Sequence, residues 1–167
     1  MEKIFDMFLK VFKFVRLPLI VIFIVALSRF TIGISGVPYA PRGNAMFSIV
    51  ATMILSSFYF GALSASVGNF RWVETALVGF IIAEFAELLI WVLTFISLVG
   101  NFRNSYFLHW DSLNLKEGAI ADYQALIPRT VALFTAPILC MIVACISRGL
   151  FSSLAPKPAM PSNAGQS

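Results

Sequence analysis

Four long apolar runs, at residues 17–35, 45–67, 72–99 and 127–150, leave this chain very few folds to choose from. Each is close to or beyond the roughly 20 residues with which a helix crosses about 30 Å of hydrocarbon. A backbone amide in hydrocarbon has no water to bond, so a run placed there must close its own hydrogen bonds as a helix. The expected fold is therefore an all-α membrane protein, a four-helix transmembrane bundle with an N-terminal amphipathic interfacial helix and one longer outer loop. Composition agrees: 59% of the residues are hydrophobic and 12% charged, where a soluble domain carries about one quarter charged. Residues 1–16 are assigned to the interfacial segment, 17–154 to the four-helix domain and 155–167, with three prolines among Ser, Asn, Gly and Gln, to a disordered tail.

The first run follows Lys10, Lys13 and Arg16, as a cleavable leader would. It continues, however, through Ser28-Arg29-Phe30 without a small-x-small cleavage site, so it reads as an uncleaved anchor. Upstream of it, Lys3, Asp6, Lys10 and Lys13 recur on one helical face and Phe5, Phe8, Phe12 and Val15 on the other. That pattern suits a helix lying in the headgroup plane and feeding through Pro18 into the first crossing. The alternative is a plain extension of the first helix.

Positive charges near the helix ends set the expected orientation. With the N-terminus inside, Lys3, Lys10, Lys13, Arg16, Arg71, Arg148 and Lys157 are cytoplasmic, and Arg42, Arg103, Lys116 and Arg129 are outside. Seven against four favours both termini in the cytoplasm of a plasma or inner membrane. The basic residues sit by the apolar ends, where they meet anionic headgroups, so the expected partner is the lipid bilayer and not nucleic acid.

Glu84 and Glu87 lie mid-run, three residues apart, and a carboxylate at the bilayer centre costs about 2.5–3.5 kcal/mol on insertion scales. Arg29 is the basic residue well inside a run, and its depth differs from that of Glu87 by about 5 Å at 1.5 Å per residue. Arg29, Glu84 and Glu87 thus form a candidate intramembrane polar cluster. The expected arrangement is an Arg29–Glu87 ion pair joining helices one and three, with a proton or cation path as the functional alternative. Ser57, Gly61 and Ala65 step by four along helix two, a candidate packing face for another helix of the bundle or, alternatively, for a homo-oligomer. Pro137 should kink helix four.

The segment 100–126 holds the varied polar chemistry, with His109, Trp110 and Asp111 as its candidates. Tyr106, Trp110 and Leu113, at i, i+4 and i+7, suggest a short interfacial helix. A single histidine cannot supply bis-histidine haem ligation or a histidine-rich zinc site, so no cofactor and no metal are expected. Cys140 and Cys145 point about 140° apart on a helix at about 100° per residue, which excludes a bond between them. Gly33-Ile34-Ser35-Gly36 matches the GxSG string of intramembrane serine proteases, but four letters at a helix end, in a chain with four runs, do not make a nucleophile. No CxxC, HExxH, Walker or GxSxG motif occurs. The expectation is a non-enzymatic structural or accessory membrane component, alone or with other subunits. The alternative is an ion- or proton-coupled transporter or channel subunit.

Overall fold

The computed structural model describes residues 2–39, 48–113, 115–116 and 121–154. They form four helices, α1 (Glu2–Ile34), α2 (Ile49–Ser66), α3 (Trp72–Val99) and α4 (Leu126–Leu154), with 3-10 turns at Asp111–Leu113 and Tyr123–Ala125 and no strand among the described residues. All four helices contain a stretch long and apolar enough to cross a membrane. Residues 45–47 and the tail 155–167, given above to helix two and to disorder, lie outside the described residues, as do Arg42, Asn114 and Glu117.

Where a run ends, a local cap explains it. The Ser48 hydroxyl accepts the Ala51 N–H at 3.2 Å and starts α2. Asn69 takes a left-handed φ of 50° in the α2–α3 turn, and the Phe70 N–H closes that turn on the Ser64 carbonyl at 3.0 Å. The Glu74 carboxylate then accepts the Arg71 N–H at 2.6 Å and starts α3. Pro128 sits in the first turn of α4, where its missing N–H costs nothing. Helix α4 continues through Pro137, which is fully buried.

The expected interfacial helix at 2–16 is not a separate element. It is continuous with the first crossing in one helix of 33 residues, about 50 Å long at 1.5 Å per residue. The reason is the inward stripe: Val11, Val15, Leu19, Ile22 and Ala26 are all buried, and their spacing of four, four, three and four keeps one face of a continuous helix on the bundle, on both sides of Pro18. Phe14 meets the Phe60 and Phe70 rings edge-on at 5.4 and 4.9 Å, and Lys10 reaches Glu74 at 3.8 Å. Phe8 and Phe12, on the face that the sequence suggested would lie on lipid, point outward.

Both chain ends of the bundle lie at one end of it, called here the terminal end; the α1–α2 and α3–α4 connections form the loop end. Helix α4 packs mainly on α3 and α2, and α1 packs mainly on α3 and more lightly on α2. Small residues let these helices close in. A Cβ on Gly61 would stand 2.6 Å from Ala144 Cα, and one on Gly79 would run into the Cys140 carbonyl. The candidate face Ser57, Gly61 and Ala65 is thus used inside the bundle: Ser57 and Gly61 are buried against α4, and the Ser147 hydroxyl bonds the Phe58 carbonyl nearby. Ala65 lines a groove between α2 and α4. Outside, Leu55 (68% exposed) and Phe134 (71%) stand bare at mid-helix. Apolar side chains so placed along four helices suit hydrocarbon as surroundings, not water.

Candidate functional site

Polar side chains gather at three levels. At the terminal end, the Ser64 and Thr75 hydroxyls are 2.8 Å apart and Arg148 donates to Thr75 Oγ1 at 2.6 Å. Arg148 also lies over the Trp72 ring at 4.8 Å. This ties α2, α3 and α4 together with buried hydroxyls, and no single-helix spacing in the sequence announces it.

At mid-height, the two carboxylates of α3 part company. Glu87 is buried at 4% exposure. Glu84 is half-buried, on the outward stripe with Phe80, Leu88 and Phe95, all exposed. Three residues turn a helix by about 300°, which leaves a 60° offset, enough to put one carboxylate inside and the other at the rim. The expected Arg29–Glu87 ion pair is not formed: among the described residues the one ion pair within 4.0 Å is Lys10–Glu74. The cation whose field reaches Glu87 is Arg129 of α4. Arg129 reads from the sequence as an outer-segment charge; its place beside Glu87 depends on how α4 packs on α3. Glu84 has no hydrogen bond or ion pair with any described residue.

At the loop end, residues 100–113 fold into a cap over the bundle. The predicted helix through Tyr106, Trp110 and Leu113 is not there. Those residues make turns and one 3-10 turn, because Ser112 Oγ bonds the Tyr106 and His109 carbonyls at 2.8 and 2.9 Å and Ser105 Oγ accepts the Phe107 N–H. The buried Ser97 and Ser105 hydroxyls, 2.7 Å apart, pin the cap to α3. Gly33 allows the cap to touch α1: a Cβ there would stand 2.7 Å from the Tyr106 N. This close approach is the use of the glycine in the Gly33-Ile34-Ser35-Gly36 string, and the Ser35 hydroxyl is committed to the Ile32 carbonyl at 2.8 Å.

Arg29 points into this cap, with its guanidinium carbon 5.8 Å from the Tyr39 ring and 5.9 Å from those of Tyr106 and Phe107. Tyr106 is held by donating to the Val37 and Pro38 carbonyls at 3.0 and 3.2 Å. Tyr39 stacks flat on His109, centroids 3.9 Å apart, and His109 Nδ1 accepts the Asp111 N–H at 3.3 Å. Trp110 lies against His109 at 5.1 Å. Burial pushes the His109 imidazole below its ordinary value and Arg29 adds to this, while Asp111 works the other way.

Folding therefore disfavours the charged imidazole, and His109 Nδ1 accepts the Asp111 N–H. The unfolded chain binds the proton more readily, so the histidine's stabilising contribution is full above about pH 6.5 and is lost as pH falls below it. We expect backbone amides of residues 105–113 to exchange hydrogen faster at pH 5 than at pH 7 after correction for intrinsic rates. His109→Gln should flatten that difference; an unchanged difference would mean that another group titrates.

Among the described residues no three His, Cys, Asp or Glu side chains converge as metal ligands would. Cys140 and Cys145 are both free thiols. The fold and its polar levels define the class: an all-helical protein with four helices able to span a membrane. Comparison with family models, with curated proteins and with solved structures gives no match.

Proposed function

We propose that this chain is a non-catalytic accessory component of a membrane assembly, a multi-pass protein with both termini in the cytoplasm, which docks a second membrane protein on the outward face of α3. The observation that carries the reading is Glu84. A carboxylate at mid-height on an apolar stripe costs about 2.5–3.5 kcal/mol in hydrocarbon unless something meets it. No group of the described chain does so. The fitting partner is a neighbouring helix that offers Glu84 a hydroxyl, amide or basic side chain at the same depth.

A photo-crosslinking residue at Leu88, beside Glu84, is expected to give a discrete protein adduct in native membranes. Adding Glu84→Leu should abolish it, and the same probe at Leu55, on α2, should label lipid alone. Lipid adducts alone at Leu88 would remove the docking reading. Mass spectrometry of the adduct distinguishes a different protein from a second copy of this one.

A transporter or channel subunit is the second reading, favoured by the same outward carboxylate, which would need a water-filled path between copies of the chain to exchange a proton. It has to work without the assembled Arg29, Glu84 and Glu87 cluster, since Arg29 lies in an aromatic cap and Glu84 faces outward. Protonation-linked flux in liposomes that vanishes in Glu84→Gln would select it.

A further inference from the structure

We propose that the loop-end cavity between Arg29 and Arg129 is a binding site for a phosphate ester or free phosphate, an oxyanion held by two guanidinium groups. The cavity has a volume of about 120 Å³, and Arg29, Ser48, Tyr106, Ser112 and Arg129 supply its polar lining. That is well above the roughly 10–15 Å³ needed for one water, so a tetrahedral oxyanion has room.

The charges of the site do not balance. Arg29 comes from α1 and Arg129 from α4, and the Arg29 charge reaches Arg129. Glu87 answers Arg129 from below but is not part of the cavity wall. Arg29 has no hydrogen-bond or ion-pair partner among the described residues; its neighbours are the faces of three aromatic rings. Arg129 uses Nη2 on the Ser112 carbonyl at 2.9 Å, while its buried Nε has no partner. The buried Arg129 Nε without an acceptor is costly, and a second, half-buried guanidinium lining the same space from α1 gives two forks that match the oxygens of phosphate. The wall also includes Ser48, Ile49 and Val50, the start of α2, whose backbone N–H groups and dipole favour an anion in the same place. The cavity sits at the loop end, where a helix that crosses a bilayer meets phospholipid headgroups. Lipid phosphate and soluble phosphate therefore share one chemistry here.

The test uses the full chain in a maltoside detergent, which contains no phosphate. Inorganic phosphate is titrated at fixed ionic strength while thermal unfolding is followed. Separately, phosphatidylglycerol is added and retention is read by native mass spectrometry. A rise in Tm with inorganic phosphate assigns the site to a soluble anion. Retention of one phosphatidylglycerol without that rise assigns it to a lipid headgroup. In either case Arg29→Gln should weaken binding roughly tenfold to a hundredfold, as the loss of a charge-assisted hydrogen bond implies, and Arg29→Lys should weaken it less. Val50→Trp, which adds bulk at the cavity wall while keeping both arginines in the chain, should block binding even if an arginine variant fails to fold. No effect of either ligand, or binding unchanged in both Arg29→Gln and Val50→Trp, overturns the proposal.

Discussion

Gly79→Leu is expected to leave no monodisperse protein in mild detergent. At this position α3 and α4 approach closely enough that even a methyl group would collide with the Cys140 carbonyl and stand 2.8 Å from the Met141 N. Backbone cannot swing aside as a side chain can, so the two helices must separate. That separation would also loosen Ala86 and Ile90, which lie further along the same buried face of α3. Overpacking a well-packed core costs about 1–3 kcal/mol and sometimes more. The α3–α4 interface is also the most extensive in the bundle, and small residues are what bring helices together in lipid. The graded series checks the cause. Gly79→Ala should lower the melting temperature measurably, while Gly149→Ala, whose Cβ would meet nothing closer than the Trp72 ring at 3.6 Å, should stay near wild type. Equal behaviour of the two alanine variants would mean that the helices are not packed this way.

Glu87→Lys should be nearly as damaging, by electrostatics in place of sterics. The variant sets a lysine at a buried position within the field of Arg129, where the native chain has an acid. A charged group at a buried position without a partner is costly to desolvate, and a cation within the field of Arg129 adds repulsion where the native acid is attracted. Glu87→Gln removes the charge while keeping the shape and should be milder. Glu84→Gln, at the outer rim of the same helix, should be milder still. The ordering in a detergent thermal melt, Glu87→Lys below Glu87→Gln below Glu84→Gln, tests the inward and outward assignments together. Identical melts for the two glutamine variants would show that burial does not separate the carboxylates.

That separation shows where local reasoning stops. In the sequence Glu84 and Glu87 are a pair on one face, and an arginine at similar depth on another helix makes Arg29 a natural partner for Glu87. Depth along a helix follows from a rise of about 1.5 Å per residue. Rotation about the axis does not, and neither does the choice of neighbour. Helix α1 turns Arg29 toward Tyr39, Tyr106 and Phe107, while α4 carries Arg129 toward Glu87. The same limit explains the interfacial helix. Its two-faced pattern at 2–16 is real, but Val11 and Val15 continue the buried stripe of the first crossing, so the segment stays on the bundle. The small-residue step at Ser57, Gly61 and Ala65 names no partner in the sequence; in the fold α4 comes close at Gly61.

What could be read from the residues alone were the properties that each segment carries within itself: four apolar stretches long enough to cross hydrocarbon, closed as helices because their amides have nowhere else to bond, with α3 bounded at residues 72 and 99 as expected. What needed the folded chain were the relations between segments: which carboxylate faces inward, which arginine answers it, and the cavity that Arg29 and Arg129 share across the bundle. Hydrogen bonding and hydrophobicity act along a stretch of chain and leave their period in it. A pocket depends on the rotations and offsets of several helices at once, and those follow from packing among residues far apart in the chain.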